Sequence, residues 1–321
     1  MKNAIATHVP RLWRASRPPT AVGLGMLVVF VLSLAGVALD PRVITGAPAW
    51  LKPAKFAIST AIYALTLAWL FTYLPDRPRL VRRVGWTTAA VLVLEVAIID
   101  AQAARGVTSP FNVATPVDAA LFAVMGVAIV IAWAVAIALS VALFRQRFAD
   151  GAMGWAIRIG MLTTVVGSAI GGLMTSPTHA QLAATRETHR LMVAGAHTVG
   201  APDGGPGMPG TGWSREHGDL RVPHFIGLHG VQILPGIAWL ITGLSPARRR
   251  RLVLVAGVSY GTLLLVLLAQ ALAGQPVLAP HGLPGAALAA WLVATTAGTL
   301  LALSARRPDI AREAAAPLAV L

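Results

Sequence analysis

Four ionisable side chains lie inside apolar stretches of the sequence, where a charge is costly unless it has a partner or a function. Glu95 and Asp100 interrupt one stretch, Arg158 lies in another and His229 in a third. A charged side chain at the centre of a membrane span costs roughly 3 kcal/mol and usually faces a bundle interior or a water-filled cavity. We therefore select Glu95, Asp100 and His229 as candidate catalytic residues that act as acids or bases. Arg158 is interpreted as extending its guanidinium toward the membrane surface.

A second group of candidates surrounds the start of the apolar segment that carries His229. The polar run 212–222 leads into Pro223, which suits the first turn of a helix. On that helix His229 and Gln232 share a face, whereas His224 and His229 point about 140° apart. We expect a ligand-binding set here that includes cations for an anionic group. Its members are Lys55, Asp219, Arg221, His224 and Gln232.

Histidine and carboxylate side chains also bind metals, so a divalent metal held by His229, His224 and Asp100 is an open alternative. The sequence contains neither an HxxxH nor an HExxH spacing, and no cofactor is assigned. Haem iron with two axial histidines is less favoured, because only His179 or His281 could supply the second ligand from another helix.

Structural roles compete with these interpretations. His224 and Lys55 could be interfacial residues at helix ends, and for His224 alone this is the favoured reading. His229 could be a hydrogen-bonded interior histidine. Lys55 and Asp100 are expected at similar depth, so an ion pair between them would satisfy both charges.

The elements that must position these residues are membrane-spanning helices. The 321 residues are 56% hydrophobic and 12% charged, with a mean hydropathy of +0.71, whereas soluble domains carry about 25% charged residues. Eight apolar segments are each long enough to cross a hydrocarbon core of about 30 Å. They are 20–39, 55–74, 85–104, 116–144, 153–176, 223–244, 252–273 and 283–304. The absence of Cys excludes disulfides and thiolate chemistry.

The basic residues predict the orientation. Of the 26 Lys and Arg residues, 17 lie on one set of alternating loops and tails, including Arg306, Arg307 and Arg312 of the C-terminal tail. The positive-inside rule then places both termini in the cytoplasm, and we expect a bacterial cytoplasmic-membrane protein. The same bias explains most of the net charge of +14, so no nucleic-acid partner is expected. The expected partners are the lipid bilayer and a small-molecule or lipid ligand from the outer face.

The chain also repeats itself. The run 68–74 matches 238–244, the pair at 82–83 matches 250–251, and Gln102 and Gly106 match Gln270 and Gly274. We predict an all-α polytopic membrane protein with eight spans in two tandem, parallel four-helix repeats, residues 1–150 and 151–321. An insert at about 178–212, with a Gly/Pro-rich end, is expected to form an irregular outward loop or lid.

Two segments resemble stretches of an uncharacterised family of bacterial multi-pass membrane proteins. They are 50–59 (WLKPAKFAIS) and 218–229 (GDLRVPHFIGLH). The resemblance implies a bacterial membrane protein in which both segments matter, and it implies no activity. Histidines and aspartates on the outer side make the chain similar to the ceramidase-like and progestin-receptor-like hydrolases. The spacing differs from theirs, so their zinc site is not carried over.

Two main functions stay open on this evidence. The first is an outward-facing intramembrane site that binds or acts on a small molecule, a lipid headgroup or a metal, with enzyme activity undecided. The alternative is a proton-coupled secondary transporter that uses Glu95 or Asp100 as its proton carrier. A structural or interaction protein is the third. For the first function, we expect Glu95, Asp100 and His229 to converge in one cavity between the halves.

Overall fold

The fold is all-α, and 71% of the chain is helical. The structure is a computed structural model that describes residues 2–304, with side chains from residue 8 onward. Within that range the helices are α1 (Lys2–Ala15), α2 (Arg17–Leu39), α3 (Leu51–Phe71), α4 (Pro78–Ala104), α5 (Pro116–Arg145), α6 (Gly151–Leu173), α7 (His179–Thr188), α8 (Arg221–Leu240), α9 (Pro246–Leu272) and α10 (Gly282–Ser304). Two short antiparallel hairpins join β1 (Val43–Ile44) to β2 (Ala47–Pro48) and β3 (Thr198–Val199) to β4 (Gly218–Asp219). The predicted basic tail with Arg306, Arg307 and Arg312 lies outside the described residues.

Seven helices of residues 2–304 are long and apolar enough to cross a membrane, namely α2, α3, α4, α5, α6, α9 and α10. By this measure of length and composition the chain is a multi-pass membrane protein. Each of the eight predicted segments falls on a helix, but the sixth falls on α8, which is not among the seven. The polar side chains of Arg221, His224, His229 and Gln232 lower the hydropathy of α8.

The loops between the long helices gather at two ends of the bundle. One end, called the insert end here, holds the connections α2–α3, α4–α5, α6–α8 and α9–α10. There Ala194 donates its backbone N–H to the carbonyl of Phe111 (2.9 Å), so the α6–α8 connection pairs with the α4–α5 loop. The other end, called the basic end, holds α3–α4, α5–α6 and α8–α9, and Arg249 pairs there with Asp150 (2.8 Å).

The long helices pack in two groups of four with the same pairing pattern. In the first group α2 packs on α3 and α4, α3 on α4, and α4 on α5; in the second α6 packs on α8 and α9, α8 on α9, and α9 on α10. The groups meet where α5 packs on α6. A buried core that includes Leu70, Leu143, Ile157 and Val231 joins α3, α5, α6 and α8 across this junction.

Glycines let α6 and α8 approach each other closely. A Cβ added to Gly167 would lie 2.6 Å from the Cα of Gly227, and one added to Gly160 would lie 2.7 Å from the carbonyl oxygen of Gly230. Small residues at such crossings let backbones pack directly, which stabilises helix pairs in a membrane. This crossing fixes the position of α8, which carries most of the predicted ligand-binding residues.

The insert folds as a cap on the insert end. Thr178 begins α7 with a reciprocal capping box to Gln181. The side chain of Gln181 then donates to the carbonyl of Gly195 (2.8 Å) and accepts its N–H (3.1 Å). The Gly/Pro-rich run that follows consists of turns closed by a bridge between Gly207 and Ser214. These contacts bring the residues from 195 to 214 over the first turns of α3 and α8.

Candidate functional site

Three cations lie where α3 and α8 begin, side by side at the insert end. Lys52 and Lys55 occupy the first turns of α3, and Arg221 is the first residue of α8. Neither helix has an acidic residue in its first turn, although the positive end of the helix dipole favours anions there. Lys52 is close enough to Lys55 and Arg221 for their charges to repel. Positive charge is therefore concentrated at two helix N-termini that already carry partial positive charge.

Lys55 and Arg221 converge on the backbone around Gly212. Lys55 Nζ donates to the carbonyl of Thr211 (3.0 Å), and Arg221 Nη2 donates to the carbonyl of Gly212 (2.6 Å). Gly212 has φ +69°, and an added Cβ would lie 3.8 Å from Lys55 Nζ and 3.9 Å from Arg221 Nη1. A glycine is needed for this backbone conformation, and both cationic groups lie close to it. Lys52 Nζ donates to the carbonyl of Ser109.

Asp219 holds Arg221 in place. Its buried carboxylate accepts from Arg221 Nε (2.9 Å) and Nη2 (2.6 Å), and from the backbone N–H groups of Ser214 (2.8 Å) and Arg221 (2.9 Å). Arg221 Nη1 has no hydrogen bond within residues 8–304. Asp219 is predicted as a ligand-binding residue. In the structure it binds Arg221 through Nε and Nη2 and leaves the Nη1 group available.

His197 and Asp203 form a hydrogen-bonded pair, in the insert, that sequence analysis did not select. His197 Nδ1 lies 2.6 Å from Asp203 Oδ2, and the carboxylate also accepts the backbone N–H groups of His197 (3.0 Å) and Thr198 (2.9 Å). Although burial favours its protonated form, these hydrogen bonds and the nearby imidazole hold the pKa of Asp203 well below its usual range. Asp203 is therefore ionised, and His197 donates its Nδ1–H to it.

The surroundings of His197 favour a neutral ring. Burial lowers the pKa of His197, the Asp203 carboxylate offsets part of that effect, and the positive charges of Lys52 and Arg221 add to the lowering. The ring packs on Phe111 with centroids 4.7 Å apart. His197 Nε2 makes no hydrogen bond to any described residue, so this nitrogen carries an available lone pair near the cations.

Of the other predicted residues of α8, His224 and Gln232 join α8 to its neighbours, whereas the ring contact of His229 lies within α8. His224 donates its Nδ1–H to the carbonyl of Gly167 on α6 (2.7 Å). The ring of His229 packs on Phe225 with centroids 4.2 Å apart. Gln232 donates to the hydroxyl of Thr66 on α3 (3.2 Å). The contact of His224 agrees with the structural alternative for that residue, although it is a bond to α6 rather than a helix cap.

Glu95 and Asp100 lie on α4, which packs on α2, α3 and α5. Glu95 is buried, and both Glu95 Oε1 and Asp100 Oδ1 are buried oxygens without a hydrogen-bond partner. The ion pair considered between Lys55 and Asp100 is wrong, because Lys55 bonds to Thr211 and no described cation pairs with Asp100. Unpaired oxygens of this kind are costly in a membrane interior.

The expected meeting of the two carboxylates with His229 is not found. α8 packs mainly on α6 and α9, whereas α4 packs mainly on α2, α3 and α5, and within residues 8–304 no hydrogen bond or ion pair links His229 to Glu95 or Asp100. The same separation affects the metal set His229, His224 and Asp100. In the part of the chain that the structure describes, no group of three His, Asp or Glu is placed to hold a metal ion.

A buried network at the α4–α5 turn contains a carboxylate that sequence analysis also missed. Asp118 accepts from Arg105 Nη1 (2.7 Å), Gln102 Nε2 (3.1 Å) and the hydroxyl of Thr115 (2.7 Å). Arg105 Nη1 also donates to Gln102 Oε1. Gln102 thus joins α4 to α5 by a hydrogen bond. Arg158 is held in a similar structural way, by the carbonyl of Gln146 (2.7 Å).

The geometry therefore offers one cationic site, made by Lys52, Lys55 and Arg221, with the His197–Asp203 pair beside it. It also offers two isolated carboxylates on α4. Comparison of the chain with protein-family models, with curated proteins and with solved structures finds no match.

Proposed function

We propose that this multi-pass membrane protein binds a small anionic group of the phosphate type, free or as a lipid headgroup, at Lys52, Lys55 and Arg221. The observation that carries the proposal is the convergence of Lys55 Nζ and Arg221 Nη1 on Gly212, where both lie within 4 Å of the position that a Cβ would take. An anion between the two groups would accept charge-assisted hydrogen bonds from both, which are about twice as strong as neutral ones.

The local electrostatics argue for an anion as well. Cations in the first turn of a helix oppose the helix dipole, so Lys52, Lys55 and Arg221 weaken α3 and α8 unless negative charge lies nearby. Asp219 offsets Arg221, and Asp203 is occupied by His197 and two backbone N–H groups. A bound anion would offset the remaining positive charge, as phosphates commonly do at helix N-termini.

We infer that the site faces outward from a bacterial cytoplasmic membrane and that both termini are cytoplasmic. The support is the concentration of arginines in the loops of the basic end, 77–83, 145–147 and 248–251. The family resemblance of 50–59 and 218–229 agrees with this placement, since these segments begin the two helices that carry the cations.

We also propose that α8 is the eighth span and that the chain is a tandem duplication. α4 and α9 both run for 27 residues from a proline at their first position. Gly106 and Gly274, which follow them, have φ values of +74° and +72°. Gln102 and Gln270 are both buried at matching positions. The common pairing pattern of the two helix groups supports the same conclusion.

The orientation has a direct test because the chain contains no cysteine. We expect Arg190→Cys, at the insert end, to react with a membrane-impermeant maleimide added to intact cells. Arg77→Cys and Arg248→Cys, at the basic end, should react only after the membrane is opened. Labelling of Arg248→Cys in intact cells would contradict the eighth span.

The binding proposal is tested by thermal unfolding of the purified protein with increasing inorganic phosphate. Binding to the folded state alone raises Tm until the site is saturated. We expect Lys52→Gln and Lys55→Gln to weaken the apparent affinity about tenfold or more, the equivalent of a charge-assisted hydrogen bond of about 1.5 kcal/mol. Arg190→Gln, which removes an exposed cation at the same end, is the matched control. Equal phosphate responses in all four proteins would contradict the site.

A proton-coupled transporter is the second candidate, and the unpartnered buried oxygens of Glu95 and Asp100 favour it. In proteoliposomes with labelled phosphate, a transporter would accumulate phosphate when a proton gradient is imposed. Glu95→Gln would abolish that accumulation and leave the phosphate effect on Tm intact. Absence of gradient-driven accumulation in the unmodified protein would contradict this candidate.

A further inference from the structure

We propose that the cationic site is also a hydrolytic one, in which His197 is the catalytic base that activates water against a bound phosphomonoester. The inference rests on the proposed anion binding at Lys52, Lys55 and Arg221, and it adds a reaction and a substrate class to that site. Asp203 is the positioning residue for His197.

Asp203 and Phe111 fix the orientation of the imidazole of His197. Asp203 is held by three bonds, from His197 Nδ1 and from the backbone N–H groups of His197 and Thr198. Phe111 supports one face of the ring. A carboxylate that fixes Nδ1–H in this way leaves Nε2 as the basic atom and stabilises the imidazolium when a proton is taken up.

The ring of His197 also lies near charged groups of three different elements. The charges that act on His197 come from the insert, from α3 and from α8, namely Asp203, Lys52, Arg221 and the ring of His224. Lys52 and Arg221 belong to the cationic site, and the chain at His197 lies against the start of α8, since Leu220 donates its backbone N–H to the carbonyl of His197 (3.0 Å). A base beside the cationic site can take a proton from a water that lies between it and the bound phosphate. A purely structural His–Asp pair would not need this position.

The reaction balances with water as the only co-reactant. His197 Nε2 takes one proton from water, and the water oxygen bonds to phosphorus while the bond from phosphorus to the alcohol oxygen breaks. The departing alkoxide takes a proton from solvent, and the imidazolium returns its proton to solvent. The products are the free alcohol and inorganic phosphate. The cations stabilise the charge on the non-bridging oxygens throughout.

The test uses full-length protein in lipid nanodiscs and two probes, 4-nitrophenyl phosphate and phosphatidic acid. Hydrolysis of the first alone would assign a soluble phosphomonoester, and hydrolysis of the second alone a lipid headgroup. We expect His197→Asn to lower turnover at least 100-fold, the usual contribution of a general base. Asn retains an N–H donor for Asp203, so the cap should fold and phosphate should still raise Tm. His189→Asn, an exposed histidine in the same insert, is the matched control and should keep full turnover.

The pH profile separates positioning from folding. Turnover should rise with pH as the ring of His197 loses its proton. Asp203→Asn removes the negative charge that favours the protonated ring, so it should shift this rise to lower pH and also lower the plateau. A structural role for Asp203 would lower the amount of active protein without moving the pH of the rise.

The two proposals fail in different ways. Turnover by His197→Asn equal to that of the unmodified protein would overturn the catalytic role and leave phosphate binding standing. Phosphate binding with no hydrolysis of either probe would do the same. Loss of the phosphate effect on Tm in the unmodified protein would overturn the anion site, and with it the hydrolysis that depends on it.

Discussion

The α4–α5 hairpin and the α9–α10 hairpin are the last two helices of their groups, but the polar contacts at their turns differ. At the first, Gln102, Arg105 and Asp118 form a buried network. At the second, Gln270 occupies the position of Gln102 and donates to the carbonyl of Pro276 (2.7 Å), while Gln270 Oε1 has no partner. Ala286 stands where the first hairpin has Asp118. Of these two hairpins, the first carries the charged network.

The first helix of each group, α2 or α6, also differs in how closely its glycine packs on a neighbouring helix. Gly25 of α2 and Gly160 of α6 occupy matching positions, yet nothing lies within 4 Å of a Cβ added to Gly25, whereas Gly160 packs directly on the backbone of α8. The second group therefore holds α8 rigidly and supports the insert, and the first group contributes lysines and carboxylates. A single site at the junction of the two groups can thus be held in position by the α6–α8 packing of the second group, while α3 of the first group supplies its lysines.

The packing difference gives the largest expected effect. Gly160→Ala forces a methyl group against the carbonyl oxygen of Gly230, which is backbone and cannot move aside, so we expect a loss of about 3 kcal/mol. Gly25→Ala should be neutral or stabilise α2 by up to about 1 kcal/mol through helix propensity. Thermal unfolding in detergent compares the two variants, and equal losses would remove the packing asymmetry.

The charged network gives the next effect. Asp118→Ala removes a carboxylate that satisfies Arg105, Gln102 and Thr115, and we expect a loss of about 2 kcal/mol, typical of hydrogen bonds to a charged group. Arg105 is half-exposed and can be hydrated afterwards, which limits the loss. Gln270→Leu, in the second hairpin, should cost less because one of its polar atoms is already unsatisfied. A larger loss for Gln270→Leu would reverse the comparison.

Glu95 and its counterpart Leu263 give a smaller effect of opposite sign. Glu95→Leu replaces a buried, unpaired carboxyl oxygen by the residue found in the second group, and we expect a gain of about 1 kcal/mol. The same variant should lose any proton-coupled activity, because it removes the carboxyl group that would carry the proton. Functional groups of this kind are often retained although they lower the stability of the folded protein. A clear loss of stability would show that Glu95 has a structural partner.

Acidification should give the smallest effect, confined to the insert. Since the pKa of His197 is lowered, the unfolded insert binds more protons than the folded one as the pH falls below about 6.5, and stability declines through the lowered pKa. The pKa of Asp203 is also lowered, so its contribution persists above about pH 4 and is lost only in stronger acid. The protection factors for hydrogen exchange at residues 195–205, corrected for the intrinsic slowing of exchange at lower pH, should fall between pH 7.5 and 5.5. His197→Asn should remove that fall, and unchanged protection factors in the unmodified protein would contradict the assignment.

The helices were predictable because apolar runs of this length have few other solutions. Every predicted segment falls on a helix, and Lys55 and Arg221 could be selected because they stand beside apolar runs. His197 and Asp203 could not, because they lie six residues apart in a segment without periodicity, and only the fold of the insert brings them to α3 and α8. Asp118 did have a signal. It stands three residues after Thr115 and two after Pro116, the pattern of a capped helix start.

The failed prediction concerns distance across the bundle rather than local pattern. Glu95, Asp100 and His229 are each unusual in an apolar helix, but a sequence does not show which helices are neighbours. The pairing of α4 with α2, α3 and α5, and of α8 with α6 and α9, keeps them apart. Sites assembled from distant helices need the packing before they can be recognised.

The central claim is that one anion binds between Lys55 and Arg221, and equilibrium binding of radiolabelled inorganic phosphate to the purified protein tests it most directly. We predict one saturable site per chain, weakened about tenfold or more in Lys55→Gln and unchanged in Arg190→Gln. Binding that is absent, or that is equally strong in Lys55→Gln, would contradict the account.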